Sequence, residues 1–169
     1  LLPTMAVLRL SVISILAIQV VVTEKQWRDW IQECRPGHSC YKFIDKEDVW
    51  TSAVQYCELN EWQLVEIEDI AELYFLQGKI RARFGMQAGK VVEFWTAGKY
   101  ERTVGQWLWY RCRKLVQVNM WGPTEPNSKN TEDCVGLYNN ENYYLNDDDC
   151  FRARFYICES KVGDEHLIG

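Results

Sequence analysis

The apolar positions change period several times along the chain. Met5 precedes Arg9, and Leu10 to Val22 is then almost wholly apolar. That run falls short of the ~20 residues that span a bilayer, and a basic residue ahead of it fits a secretory signal. Residues 1–23 are therefore read as a signal peptide, with Met5 as candidate initiator, Leu1–Thr4 upstream of it, and no clean A-x-A cleavage site. A buried helix or a membrane anchor is the alternative reading of the same run. Residues 24–33 form a polar lead-in in which Trp27, Trp30 and Ile31 fall at helical spacing, as a short amphipathic helix or a partly ordered linker. A Pro-Gly turn lies between Cys34 and Cys40, and Tyr41–Ile44 read as a strand. Asp45-Lys46-Glu47-Asp48 has the pattern of a capping box. Behind it, Trp50, Ala53, Val54 and Cys57 make one apolar helical face, which Asn60 in a left-handed conformation would end. Gln63–Ile67 read as a short extended segment. A second helix is expected over Asp69–Phe84, with Ile70, Leu73, Tyr74, Gln77 and Ile80 on its face and Gly85 just past its end. Beyond Gly85 the helical period disappears. Val92–Ala97, Gln106–Tyr110, Cys134–Tyr138, Tyr143–Leu145 and Arg154–Cys158 are short β-branched and aromatic runs that read as strands. Between the second and third of these lies a long irregular stretch, Arg111–Asp133, of the length that usually carries function.

Composition narrows the class. A chain of 169 residues suffices for one domain, and 8 tryptophans with 9 tyrosines argue for a packed fold over disorder. The net charge of −5 without a basic stripe excludes binding through phosphate neutralisation, so no nucleic-acid partner is expected. Seven cysteines fit an oxidising compartment. Six cysteines alone allow fifteen pairings, so their spacing leaves the connectivity open. No CxxC pair occurs, and His38 and His166 are far apart, which argues against structural zinc. HExxH, GxSxG and P-loop patterns are missing as well, so no enzyme is expected.

Two clusters change the picture. One is Glu125-Pro126-Asn127 with Glu132-Asp133-Cys134; the other is Asn146-Asp147-Asp148-Asp149-Cys150. Their carboxylates and side-chain amides are the hard oxygen donors that Ca²⁺ prefers. Around one cation, such groups leave paired acceptors and donors at the rim, an arrangement that suits a vicinal diol. Acidic loop clusters are commonly solvated turns, and Asp147–Asp149 alone would be one.

With Cys57 and Cys158, Cys134 and Cys150, Phe94-Trp95-Thr96-Ala97-Gly98, Trp107-Leu108-Trp109, Trp121-Gly122-Pro123, Glu125-Pro126-Asn127 and Asn146-Asp147, residues 34–159 resemble a C-type lectin-like domain. Residues 160–169 are left as a C-terminal tail. The resemblance implies an α+β fold: two helices, two small antiparallel sheets, a long calcium-binding loop and three disulfides. It pairs Cys57 with Cys158, Cys134 with Cys150, and Cys34 with Cys40 in a loop shorter than most relatives have. Cys112 is left over, either buried and inert or linking two chains. The resemblance also implies a cis peptide before Pro126. One Ca²⁺ would be held by Glu125, Asn127, Glu132, Asn146 and Asp147, and the same five residues would bind carbohydrate. Glu-Pro-Asn resembles the order that reads equatorial hydroxyls, as in mannose, fucose or GlcNAc; Gln-Pro-Asp would suggest galactose. The chain departs from the family pattern at Leu145, where a tryptophan is usual, and at Ser128, Tyr100 and Val104, where an auxiliary calcium site would need acids; Asp133 alone survives there. Trp95, Trp107, Trp109 and Trp121 are expected in the core, and Tyr143 or Tyr144 is a candidate to stack on a sugar. The expected protein is a secreted, calcium-dependent lectin of mannose/GlcNAc/fucose type, serving innate-immune recognition or agglutination. Its expected partners are glycans, without membrane insertion; a homo-oligomer linked through Cys112 is one of the two readings of that cysteine. The alternative is a lectin-fold module that binds a protein or ice surface, as a disulfide-linked dimer.

Overall fold

The computed structural model describes residues 30–84, 92–128 and 130–160. The signal segment, most of the lead-in, Gly85 and the C-terminal tail beyond Ser160 lie outside these residues. The elements in order are β1 (Trp30–Cys34), β2 (Cys40–Asp48), α1 (Trp50–Leu59), β3 (Gln63–Leu64), α2 (Ile70–Phe84), β4 (Glu93–Glu101), β5 (Gln106–Trp109), β6 (Cys134–Tyr138), β7 (Tyr144–Asp148) and β8 (Arg154–Ser160). Single 3-10 turns cover Val118–Met120 and Asn139–Glu141. The fold is α+β, with the two expected helices.

Where two small antiparallel sheets were expected, the strands join in one sheet with two antiparallel halves. One half is β1-β2-β8, with β3 also on β8; the other is β4-β6-β7, with β5 on β4. The halves meet where β4 runs parallel to β8, at Phe94↔Phe155 and Trp95↔Tyr156. That seam is aromatic. Phe94, Trp95 and Tyr156 are fully buried, and Phe43 meets Phe94 edge-on at 6.2 Å between ring centroids. Each such side chain stabilises the fold by about 1.5–3 kcal/mol on burial. Trp95 also donates from Nε1 to the Asp48 carbonyl at 3.0 Å, and Trp50 to the Thr96 carbonyl at 2.8 Å, so both indoles are satisfied.

Four local expectations are corrected. Trp30–Cys34 is an edge strand beside β2, not part of a helix; pairing with β2 outweighs the helical spacing. Asp45–Asp48 extend β2 and form no capping box. α1 instead starts behind Val49 with no side-chain cap. Its first donor, the Trp50 N–H, reaches the Cys150 carbonyl at 3.0 Å, so a tertiary partner replaces the cap. The left-handed residue after α1 is Glu61 (φ 63°), while Asn60 sits at φ −101° and its amide donates to the Tyr56 carbonyl at 2.7 Å. On α2, Leu73, Leu76 and Ile80 are buried and Tyr74 is exposed. Gln77 belongs to the buried face because its Nε2 donates to the Tyr143 carbonyl at 3.1 Å.

Three disulfides are formed, as the resemblance implied: Cys34–Cys40, Cys57–Cys158 and Cys134–Cys150. The second ties α1 to β8 across 101 residues and the third spans 16, closures that restrict the unfolded chain by about 4–5 and about 3 kcal/mol.

At Gly98, β4 crosses β6 so closely that a Cβ would lie 2.7 Å from Val135 Cβ and Cγ2. The β4–β6 register slips between Trp95 and Lys99, beside this contact. Gly98→Ala is expected to destabilise the oxidised protein by about 1–3 kcal/mol in urea unfolding, through overpacking. An unchanged midpoint would show that the two strands separate freely there.

Candidate functional site

β7 carries the site by strand alternation. Leu145 and Asp147 point inward and are buried, while Asn146 between them is half-buried. The register with β6 sets Asn146 opposite Gly136 and Asp147 opposite Val135. The long loop is then laid against β7. Trp121 bridges to Leu145, the Gly122 N–H donates to the Leu145 carbonyl at 2.9 Å, and Trp107 packs on Trp121 at 5.1 Å. Beyond Pro126, Asp147 takes over as anchor. Its Oδ1 accepts the Asn127 N–H at 2.9 Å and its Oδ2 the Ser128 N–H at 2.8 Å. The Glu132 N–H closes the turn on the Ser128 carbonyl at 2.9 Å. The Glu125–Pro126 peptide is cis.

An open cavity of about 230 Å³ brings together all five residues singled out by sequence, Glu125, Asn127, Glu132, Asn146 and Asp147. Ser128, Glu93, Tyr138, Asp148 and Arg152 complete its lining. Asn127 Nδ2 donates to Glu125 Oε1 at 2.9 Å, Ser128 Oγ donates to Asn127 Oδ1 at 2.7 Å, and Asn146 Nδ2 donates to the Asp147 carbonyl at 2.6 Å. The side chains thus hydrogen-bond to one another. Among the described residues, no three His, Cys, Asp or Glu side chains stand as a ready-made cation cluster.

The donor chemistry nevertheless fits Ca²⁺. Glu125 Oε2 is buried with no hydrogen-bond partner. Burial, then Asp147, and then the Glu141 and Glu132 carboxylates push the Glu125 carboxyl up to about 7. Glu132 is raised as well, by burial and then by Asp147 and Asp148. Such crowding of like charges around an orphaned oxygen is the electrostatic counterpart of a cation site. Each Asp147 oxygen accepts one backbone N–H and keeps a further lone pair.

The other candidates divide. Asp133 is engaged by Arg102, whose Nε and Nη2 donate to its two oxygens at 2.9 Å each. Tyr143 is buried, and Tyr144 is half-buried. Trp95 and Trp109 are core residues, Trp107 is buried at 8% exposure, and Trp121 is half-buried at the loop base. Cys112 is a free, exposed cysteine, so the buried alternative is excluded. Sequence reading missed Glu93, Tyr138 and Arg152. Tyr138 was within reach, because pairing Cys134–Tyr138 with the next strand sets it on the Asn146 face. Glu93 and Arg152 enter only through tertiary packing.

An ion-pair strut backs the site. Arg154 pairs with Glu93 and also with Asp148 Oδ2, the latter at 2.8 Å, while Arg152 reaches Asp148 Oδ1 at 3.2 Å. Burial pushes the Glu93 carboxyl up to about 7 from its ordinary 4.5, outweighing the pull of Arg154. Glu93 therefore binds its proton more tightly in the folded chain. Its contribution to stability is full below pH 4.5 and is lost as pH rises through about 7. Glu93→Gln, neutral throughout and with Arg154 still held by Asp148, is expected to gain in Tm on the parent as pH rises across that window, measured in EDTA. A Tm difference that stays constant with pH would contradict this assignment.

Comparison with known proteins gives a consistent result. Residues 46–160 match the family model of the lectin C-type domain. Salivary C-type lectin 2 of Aedes albopictus is 28% identical over 135 residues, covering 77% of this chain and 89% of that protein. C-type lectin domain family 17, member A of Homo sapiens is 29% identical over 122 residues, but the match spans only 29% of that longer protein. Among solved structures, an SPL-1–GlcNAc complex superposes with a TM-score of 0.66 at 27% identity, over 79% of this chain and 93% of that one. Human lithostathine, at 24% identity and a TM-score of 0.64, shares the fold. By its sequence match, its helices and sheet, and its three disulfides, the chain belongs to the C-type lectin domain family.

Proposed function

We propose that this chain is a calcium-dependent lectin for sugars with adjacent equatorial hydroxyls, of the mannose, GlcNAc and fucose type. The observation that carries this reading is Glu125 Oε2, buried without a partner among the carboxylates of Glu132 and Asp147 and the amides of Asn127 and Asn146. Glu125, Asn127, Glu132, Asn146 and Asp147 would hold one Ca²⁺. When bound, the ion supplies positive charge and coordination positions for two vicinal hydroxyls. The carboxylates of Glu125 and Glu132 accept hydrogen bonds from those hydroxyls, and the amide NH₂ groups of Asn127 and Asn146 donate to them. Asp147 keeps the loop seated through its two backbone contacts. A second cation is not part of this reading, because Arg102 already neutralises Asp133.

The cavity is open and small, so single-site affinity is weak and useful binding comes from several copies together. The exposed Cys112 is the candidate link between copies. Secretion is part of the proposal, supported by three disulfides and by a relative described as salivary. Recognition of foreign glycans in innate immunity, or agglutination, would be the corresponding role.

Retention on immobilised mannan in millimolar calcium, with release by EDTA, tests the reading. Glu125→Gln with Asn127→Asp exchanges donor and acceptor and is expected to weaken mannose binding and favour galactose. If immobilised mannose, fucose and GlcNAc all fail to retain the oxidised protein, the sugar reading is wrong, and a protein or ice surface becomes the ligand class to test.

A further inference from the structure

Five cations gather on the β4–β5 hairpin and the turn behind it. Residues 99–114 hold Lys99, Arg102, Arg111, Arg113 and Lys114 against one acid, Glu101, a net +4 in a chain of −5, which leaves −9 on the remainder. No basic stripe is legible in the sequence, because β5 separates the two groups. Pairing closes that gap: Gly98 lies opposite Trp109 and Lys99 opposite Leu108, and Arg113 meets Glu101 at 3.0 Å. The turn is firmly held. The buried Glu66 carboxylate accepts the Arg111 N–H at 2.5 Å and the Cys112 N–H at 3.2 Å, and the Lys114 carbonyl accepts the Trp109 N–H at 2.9 Å. Between them Arg113 sits at φ 58°, a left-handed conformation that a non-glycine residue keeps only where its surroundings enforce it. Arg113 and Arg102 pair with Glu101 and Asp133, whereas Lys99, Arg111 and Lys114 make no ion pair among the described residues. Arg111 instead donates to Gln63 Oε1 at 2.9 Å, and Lys99 Nζ lies 5.1 Å from the centroid of the Trp50 ring. Lys99, Arg102 and Arg113 line an open cavity of about 290 Å³, walled by Tyr100 and Tyr110, that shares no lining residue with the cavity around Glu125.

We infer that this hairpin and turn form a second binding surface, independent of calcium, for a sulfated polysaccharide. A guanidinium fork matches the paired oxygens of a sulfate, and Arg111 offers one that no acid holds. The exposed Tyr110 ring gives the sugars between sulfates an apolar face to lie on. The free strand edge decides against an acidic peptide. On the outer side of β5, Leu108 already bridges Leu115, and the Val116 N–H donates to the Trp107 carbonyl at 3.0 Å. An extended peptide would find no backbone partners there, whereas a sulfated chain needs only cations and a ring. The acidic remainder of the chain repels a polyanion and so confines it to this face.

Fluorescence anisotropy of a labelled heparin octasaccharide with the oxidised chain tests this. It is run in EDTA, so the outcome is separate from that of mannan retention in calcium. Saturable binding is expected, weakening steeply as salt rises. Arg111→Gln with Lys114→Gln removes two cations that no acid holds and should lower affinity about five- to twentyfold. Glu101→Gln releases Arg113 and should raise it about two- to fivefold. Lys46→Gln with Arg83→Gln, a control of equal charge on β2 and α2, should change it less than about twofold. The urea midpoint of each variant reports that it is folded. No binding at low salt, a control loss equal to that of the Arg111 and Lys114 pair, or binding that requires calcium overturns the surface. An equal affinity for poly-glutamate or for an oligothymidylate overturns the polysaccharide assignment.

Discussion

The Asp147 carboxylate holds the site together. It is buried on β7, and its two oxygens receive the backbone N–H groups of Asn127 and Ser128. An irregular loop has no ladder of its own to satisfy its amides, so a buried acceptor on a rigid strand fixes its path. Hydrogen bonds to a charged acceptor contribute about 1.5–3 kcal/mol each, enough to order the segment around Glu125, Asn127 and Glu132. The same carboxylate raises the energy of its neighbours' negative charges. Loop order and electrostatic crowding therefore share one cause, and a cation would relieve the second without disturbing the first.

Behind this contact lies a rigid frame. Cys134–Cys150 clamps the β6–β7 pair, and the Cys150 carbonyl receives the first N–H of α1. Arg154 ties Asp148 at the end of β7 to Glu93 on β4. A buried ion-pair strut is a poor source of stability, because desolvation offsets its attraction. Its value here is geometric: it fixes the end of the strand that presents Asn146 and Asp147. The frame also carries three further buried glutamates, Glu66, Glu72 and Glu159. Each accepts a backbone N–H: Glu66 from Arg111 at 2.5 Å, Glu72 from Glu68 at 2.7 Å, and Glu159 from Glu66 at 2.8 Å. Buried carboxylates that seat loop amides thus recur through the molecule.

Legibility from the sequence followed the range of the forces. Helix α1 was readable because Trp50, Ala53, Val54 and Cys57 repeat at 3.6, and the strands because they are short β-branched and aromatic runs. The two clusters were readable as hard oxygen donors, and the resemblance to the C-type lectin domain picked the five residues out of them. What escaped depended on partners distant in sequence. Asp45–Asp48 resembled a cap, but the Cys150 carbonyl, about a hundred residues away, serves as partner to α1. Gln77 broke the α2 pattern until the Tyr143 carbonyl explained it. Asp133 reads in the sequence as the lone surviving acid of an incomplete auxiliary site, and only the fold brings Arg102 onto it. Glu93 required the β4–β6 pairing, which joins segments some forty residues apart.

Titration of Ca²⁺ into the correctly oxidised, metal-free chain by calorimetry tests the central claim most directly. The account predicts saturable binding of one ion per chain, lost in Glu125→Gln and Asn146→Ala alike. No heat of binding at millimolar Ca²⁺, or binding that survives both substitutions, would contradict it.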